Sequence, residues 1–343
     1  MIKVFDWKKK IVEEELDDVV RKLEDGEIIV FPTETVYGIG GNALDGEVAK
    51  KIYAAKGRPS DNPLIVHVSD LVMLEKCVSN ISEIERKLIN DFMPGPFTLI
   101  LNKANDIPME VTANLDTVAI RMPSNQIANK IIEKLNKPIA APSANISGKP
   151  SGTNIDDIKE ELGERVYALI DGGNTDIGLE STVVKVIDGV PTILRPGAIT
   201  ADDIKNAVGL VKIDEHVLNE VKDNEIVESP GMKHKHYSPN TKCLLIDIRE
   251  KDKRIEKINQ LIDDNVCVIG FEKDRLFIDT NNFLSVGNTL DEMSKNIFRL
   301  LRKADKLNCK LIIIEGVSSE GLGLAVMNRL IRTCNYNVIG DNE

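Results

Sequence analysis

The sequence predicts an α/β protein of two domains, and three observations carry that expectation. Apolar runs of strand length alternate with segments of helical periodicity along most of the chain. At 343 residues the chain is longer than one ordinary domain. A polar, acid-rich stretch from Asp214 to Glu228 parts two such alternating regions and reads as a linker.

In order, Leu16, Val19, Val20 and Leu23 recur at helical spacing, Gly26 stands where that helix should end, and Glu27 to Phe31 read as a buried strand. Further strands are expected at Leu64 to Val68, Phe97 to Leu101, Val118 to Met122, Ile139 to Ala141, Tyr167 to Ile170, Thr182 to Ile187 and Thr192 to Leu194. Helices are expected over Glu47 to Lys56, Ile84 to Phe92, Gln126 to Leu135 and Ile155 to Leu162. The close spacing of the last strands implies some antiparallel pairing. Residues 1–209 then form the first domain, 210–240 a linker and 241–343 the second domain. In the latter, strands at Cys243 to Ile248, Val266 to Phe271 and Leu311 to Glu315 alternate with helices near Lys253 to Ile262, Leu290 to Lys306 and Leu322 to Thr333, a three-layer pattern. Leu324, Val326, Met327 and Leu330 are its core face on the last helix.

Composition narrows the function. Lys and Arg number 44 against 55 Asp and Glu, a net charge of −11, so the surface repels polyanions except where cations gather. Aromatic residues are only 4%, too few for a platform that stacks successive bases. The five cysteines (Cys77, Cys243, Cys267, Cys309, Cys334) are far apart in sequence and form no C-x-x-C pair, which argues against zinc and against a disulfide framework. The N-terminus shows no apolar signal core and no stretch is long enough for a membrane span, so a reducing, cytoplasmic location is expected.

Four stretches carry no carboxylate: Val48 to Ser60, Thr117 to Ile132, Lys134 to Ile155 and Ser229 to Ile246. They hold Lys50, Lys51, Lys56 and Arg58, then Arg121, then Lys149, then Lys233, Lys235 and His236. Local positive potential in an acidic protein suits a small polyanion better than a long nucleic acid. Lys56-Gly57-Arg58-Pro59 sets an ammonium and a guanidinium two residues apart, either to hold phosphate or carboxylate oxygens or simply to offset a helix dipole. The run from Pro142 to Gly152 gathers hydroxyls, an amide and glycines directly after an apolar strand, where open α/β sheets place ligands.

Several familiar devices are excluded. Gly38-Ile39-Gly40-Gly41-Asn42-Ala43 follows its strand too late for a dinucleotide-binding turn. There is no P-loop and no G-x-S-x-G elbow. His234 and His236 lack a nearby third ligand and are favoured as solvated or phosphate-facing rather than as a metal pair. Glycine-rich Gly316 to Gly323 precedes a helix and could face an anion.

The ordered set Pro32-Thr33-Glu34-Thr35-Val36-Tyr37-Gly38, Lys56-Gly57-Arg58-Pro59, Asn62-Pro63-Leu64, Pro94-Gly95-Pro96 and Ser143-Ala144-Asn145 resembles the YrdC-like threonylcarbamoyl-AMP synthases. Lys56 with Arg58 matches the family's K-x-R element, and Ser143 with Asn145 its S-x-N element. The segment Ser229 to Pro239 and the second domain are similar to the family's long, two-domain branch, although His234 and Lys235 stand where relatives are expected to carry an aromatic and an Arg.

The resemblance implies a YrdC-like twisted mixed sheet with flanking helices, followed by a smaller Rossmann-like domain. It also implies synthesis of threonylcarbamoyl-AMP from L-threonine, bicarbonate and ATP with release of pyrophosphate, the product passing to a transferase that modifies tRNA. It assigns Lys56, Arg58, Ser143 and Asn145 to the chemistry. ATP would meet Lys56, Arg58, Asn62, Thr117, Ser143, Ser151, Arg195 and Tyr237, and threonine would meet Thr35, His67, Arg121, Ala141 and Ser181. Mg²⁺ is expected on the phosphates rather than in a protein cage. Tyr237 and its basic neighbours would form a lid that keeps water off the adenylate. The competing readings are an RNA-binding or ribosome-assembly factor and an enzyme that carbamoylates another acceptor.

Overall fold

The computed structural model describes residues 2–219 and 237–341. His234, Lys235 and most of the expected lid lie outside the described residues. The first half is built on an eleven-stranded mixed sheet. Its strands are β1 (Val4–Asp6), β2 (Ile29–Phe31), β3 (Gly38–Asn42), β4 (Ile65–His67), β5 (Phe97–Asn102), β6 (Thr117–Arg121), β7 (Ile139–Ala140), β8 (Ala168–Asp171), β9 (Thr182–Ile187), β10 (Val190–Arg195) and β11 (Lys212–Ile213). They lie in the order β1-β8-β2-β3-β7-β4-β6-β5-β9-β10-β11. Helices α1 (Glu13–Glu24), α2 (Gly46–Lys56), α3 (Leu71–Cys77), α4 (Glu83–Phe92), α5 (Met109–Thr112), α6 (Gln126–Leu135), α7 (Ile155–Leu162) and α8 (Ala201–Val208) flank it.

Strand alternation sorts the sheet's residues. On β4 and β6, Val66, Val118 and Ile120 point into the main apolar core, while Ile65, His67, Thr117, Ala119 and Arg121 share the opposite face. β4 and β6 pair in parallel with His67 beside Arg121, and β5 pairs antiparallel with Thr98 beside Arg121. One face of these central strands therefore holds the helices, and the other carries polar groups at one end.

β3 is absent from the sequence-based expectation because three of its five residues are glycines. Packing explains them: a Cβ on Gly40 would lie 2.5 Å from the Ala140 carbonyl and 2.7 Å from the Ala141 Cβ, so only glycine lets β7 approach. The run forms an antiparallel partner of β2 and is not a phosphate-binding turn. α8 is short and polar, held by a capping box between Thr200 and Asp203 rather than by a long apolar face.

The second half is a five-stranded parallel sheet ordered β14-β13-β15-β12-β16, from β12 (Lys242–Asp247), β13 (Val266–Gly270), β14 (Phe283–Ser285), β15 (Leu311–Glu315) and β16 (Val338–Gly340). Ile258 of α9 (Lys251–Leu261) packs with Leu244, Ile246, Val266 and Val268 on one face. α10 (Leu290–Asp305) and α11 (Leu322–Thr333) pack with Cys243, Leu245, Cys267 and Ile269 on the other. This is the expected three-layer α/β arrangement. Three cysteines scattered in sequence are gathered by the fold: Cys243 and Cys267 flank Ile312 from the two neighbouring strands, and Cys334 belongs to the same apolar cluster. No helix among the described residues is long and apolar enough to cross a membrane.

The halves meet through side chains as well as through the chain. Val36 and Leu179 of the first half belong to the apolar cluster of the second, together with Tyr237 and Phe298. Arg302 of α10 donates to Glu161 Oε1 at 2.6 Å and to the Pro150 carbonyl at 2.5 Å, and Ser294 donates to the Ile177 carbonyl at 2.9 Å.

Candidate functional site

A cavity opens on the polar face of the first sheet, where Tyr237 closes one side. Its lining includes Arg58, His67, Arg121, Ala141, Ser143, Asn145, Ser151, Ser181, Arg195 and Tyr237, ten of the residues singled out in the sequence. Lys56, Asn62, Thr35 and Thr117 do not line it.

One wall is the loop after β7. It is zipped to the start of β3 by Ile39 N to Pro142 O (3.0 Å) and Ala144 N to Tyr37 O (2.7 Å). Lys56 stands behind this wall. α2 ends in Gly57 at a left-handed φ of 59°, which reverses the chain and parts Lys56 from Arg58. The buried Lys56 ammonium then donates to the Ser143 carbonyl (2.5 Å), the Asn145 carbonyl (2.8 Å) and Asn145 Oδ1 (3.3 Å). Burial, and next the nearby Arg58, lower its pKa well below the usual lysine value. Ser143 Oγ closes the group by donating to Asn145 Oδ1 at 2.6 Å. Lys56 thus shapes the loop, whereas Arg58 faces the cavity.

Arg58 donates through Nη2 to the carbonyls of Asn62 (3.2 Å) and Pro63 (3.3 Å). Its Nε and both polar atoms of the Asn62 amide are buried without a hydrogen-bond partner among the described residues. Buried polar groups in native proteins are ordinarily paired, so the Arg58 guanidinium, which lines the cavity, keeps a donor available to a ligand. Lys149 adds a second cation to this side.

The other wall is made by β4 and β6. His67 is buried, sets its ring edge-on to Phe31, and holds Nδ1 3.1 Å from the Ile65 carbonyl. A carbonyl can only accept, so Nδ1 carries the proton and Nε2 is the acceptor. Burial, with Arg121 nearby, lowers the His67 pKa to about 3 and keeps the ring neutral. Arg121 Nη2 forms an ion pair with Glu34 Oε1 at 2.8 Å and donates to Thr33 Oγ1 at 3.4 Å, while its Nε has no hydrogen-bond partner among the described residues. Burial pushes the Glu34 carboxyl up, and Arg121 overcomes this and holds it below its usual range. Thr35 stands one layer behind, its Oγ1 2.9 Å from that of Thr33. Thr117 shares the Arg121 face but lies four residues, about 13 Å, along the strand.

Between the walls, Arg195 donates from Nε and Nη2 to the Ser181 carbonyl at 3.1 and 3.0 Å, and from Nη2 to Ser181 Oγ at 3.1 Å. Burial lowers its pKa to about 10. Ser151 donates to Glu180 Oε1 at 2.5 Å, and Glu180 Oε2 accepts from Arg329 Nε at 2.9 Å. Tyr237 stacks on Phe298, ring centroids 5.2 Å apart. Sequence reasoning passed over Glu34, Glu180 and Arg329: a search for acid-free stretches excludes the first two by construction. The third adjoins Leu330 on a helix whose apolar face reads as core.

Comparison with known proteins places the chain in a family. A family model, Sua5_yciO_yrdC, described as "Telomere recombination", matches residues 21–197, and one described as "Threonylcarbamoyl-AMP synthase, C-terminal domain" matches residues 199–334. The chain is 41% identical over 326 residues to the threonylcarbamoyl-AMP synthase of Pyrococcus abyssi, covering 92% of this chain and 93% of that protein. It is 40% identical to that of Bacillus subtilis, covering 92% of each. The crystal structure of P. abyssi Sua5 complexed with L-threonine superposes with a TM-score of 0.93 at 40% identity, covering 98% of this chain and 99% of that one. With both domain models matched in order and these relatives aligned over nearly their full length, the chain belongs to the two-domain threonylcarbamoyl-AMP synthase family.

Proposed function

We propose that this protein condenses L-threonine, bicarbonate and ATP into threonylcarbamoyl-AMP, releasing pyrophosphate and water, and that a downstream transferase carries the threonylcarbamoyl group to tRNA. The observation that carries this reading is that one cavity joins two different anion receptors: Arg121 beside neutral His67 on one wall, Arg58 and Lys149 on the other. The first suits an amino-acid carboxylate, the second a polyphosphate.

In this reading Arg121 meets the threonine carboxylate through its open Nε edge, with Glu34 fixing the guanidinium plane from behind. His67 Nε2 accepts from the threonine hydroxyl, and Ala141 and Ser181 bound the rest of the amino acid. Arg58, Ser143, Asn145 and Arg195 face the nucleotide, with Lys56 and Asn62 supporting them. The threonine N–C bond forms as a C–O bond of bicarbonate breaks and its oxygen leaves as water, and the carbamate O–Pα bond forms as the Pα–O bond to pyrophosphate breaks. That chemistry needs alignment of three substrates and stabilisation of charge on phosphate oxygens, not a covalent nucleophile. Glu180 is held by Ser151 and Arg329, so Mg²⁺ entering with ATP is assigned to the phosphates.

The test is pyrophosphate release by the purified protein with ATP. Release should require both threonine and bicarbonate, and release indifferent to threonine sinks the reading. Serine in place of threonine should cost the value of one methyl, ~1 kcal/mol or somewhat more. Tight tRNA binding with a steep salt dependence and no pyrophosphate release would point instead to an RNA-binding factor.

A further inference from the structure

Arg329 is fully buried in α11 of the second half, in a run where Ala325, Val326, Met327 and Leu330 are core residues. A guanidinium there is costly unless its donors are satisfied, and an apolar side chain of similar volume would pack more cheaply. Its partners lie mainly across the boundary. Nε donates to Glu180 Oε2 at 2.9 Å, Nη1 to the Pro196 carbonyl at 3.0 Å, and Nη2 to the Glu180 carbonyl at 3.4 Å. Nη1 also donates to Asn328 Oδ1 at 2.7 Å, and Cζ lies 5.6 Å from the centroid of the Tyr237 ring.

The direction of the next hydrogen bond follows. Held between Arg329 and Arg195, Glu180 stays ionised although burial opposes its charge. An ionised carboxylate only accepts, so Ser151 must donate its one hydroxyl proton to Glu180 Oε1. What Ser151 then offers the cavity is lone pairs. Phosphate oxygens, themselves acceptors, have no use for them.

We propose that Arg329, Glu180 and Ser151 form a relay across the two halves that fixes Ser151 as an acceptor, so that this wall selects the nucleotide by a donor on its nucleoside, the adenine amine or a ribose hydroxyl. Arg329 is a positioning residue in this scheme, and Ser151 is the residue that reads the ligand. The inference rests on the ATP-dependent reading above and adds the group by which the nucleotide is chosen.

The experiment compares ATP with purine riboside triphosphate, 2′-deoxy-ATP and 3′-deoxy-ATP, each lacking one candidate donor. Both calorimetric binding and threonine-dependent pyrophosphate release are measured. Wild type should disfavour one of the three by about tenfold or more, the worth of one hydrogen bond in a partly buried site. The analogue that loses identifies the donor. Ser151→Ala and Glu180→Gln should flatten that preference to within a factor of two or three. Glu180→Gln/Arg329→Met, which leaves neither charge unpaired and so should still fold, should do the same, with the affinity for threonine unchanged. Equal treatment of all three analogues by wild type overturns the proposal. So does a preference that survives in the double variant, or a variant that loses only thermal stability. A wild type that binds ATP without threonine-dependent release overturns the synthase reading alone, because the analogue series is still read by binding.

Discussion

The Lys56 ammonium lies 2.5 Å from the Ser143 carbonyl, while Arg58, two residues on, turns its guanidinium into the cavity. Two adjacent cations of one motif thus do different work, one internal to the fold and one facing the ligand. Lys56→Met should lower stability by about 2–4 kcal/mol, because it leaves buried carbonyls unpaired, and should abolish turnover through the displaced loop. Arg58→Ala should abolish nucleotide-dependent turnover with stability changed by less than about 1 kcal/mol. Urea denaturation beside the pyrophosphate assay separates the two, and equal destabilisation would contradict the division of roles.

His67 makes the fold sensitive to acid. Its pKa is near 3 in the native state, against about 6.5 in the unfolded chain. Below pH 6.5 the unfolded chain therefore takes up a proton that the native protein does not, and stability falls as the pH drops from 6.5 towards 3. Between pH 7 and 5 this amounts to about 2 kcal/mol, and His67→Asn should remove that part of the slope. Denaturation midpoints at the two pH values test it: an unchanged slope means that His67 is not the titrating group.

Gly40 has no room for a methyl group, since the contact of 2.5 Å is with the backbone of β7. Gly40→Ala should cost about 2–3 kcal/mol. It should also weaken threonine binding, because the strain passes directly to Ala141 in the cavity wall. Calorimetric titration with threonine reads this, and intact binding would show that β7 gives way elsewhere.

The thiols provide a check on the second half. Burial pushes Cys77 and Cys267 up to about 12, the hydrogen bond with Cys243 and then burial raise Cys334, and Cys309 is the half-buried one. Ellman's reagent at pH 8 should label about one thiol in the native protein, at Cys309, and all five after denaturation. Rapid native labelling of Cys243, Cys267 or Cys334 as well, identified by peptide mapping, would mean that the second half opens readily.

How far the site could be read from sequence depended on whether its chemistry was local. Arg58, Ser143 and Asn145 stand in loops of conspicuous composition, and the expected α6 (Gln126–Leu135) and α11 agree with the structure at both ends because their apolar spacing is regular. Thr117 was expected at ATP through the family resemblance, and the structure sets it at the far end of β6 from Arg121, away from the cavity lining. β3 looked like a loop because its glycines answer to a neighbouring strand. Arg329 and Glu180 are 149 positions apart, and nothing local to either sequence segment announces the other.

Val36 and Leu179, rooted in the apolar cluster of the second half, bear on any attempt to dissect the enzyme. A chain cut after Gly209 would present both side chains to water and remove Arg302 from the Pro150 carbonyl. Such a fragment would be prone to self-association before its catalysis could be judged. Loss of activity on truncation would therefore reflect solubility as much as chemistry, and a fragment meant for comparison should first carry polar replacements at 36 and 179.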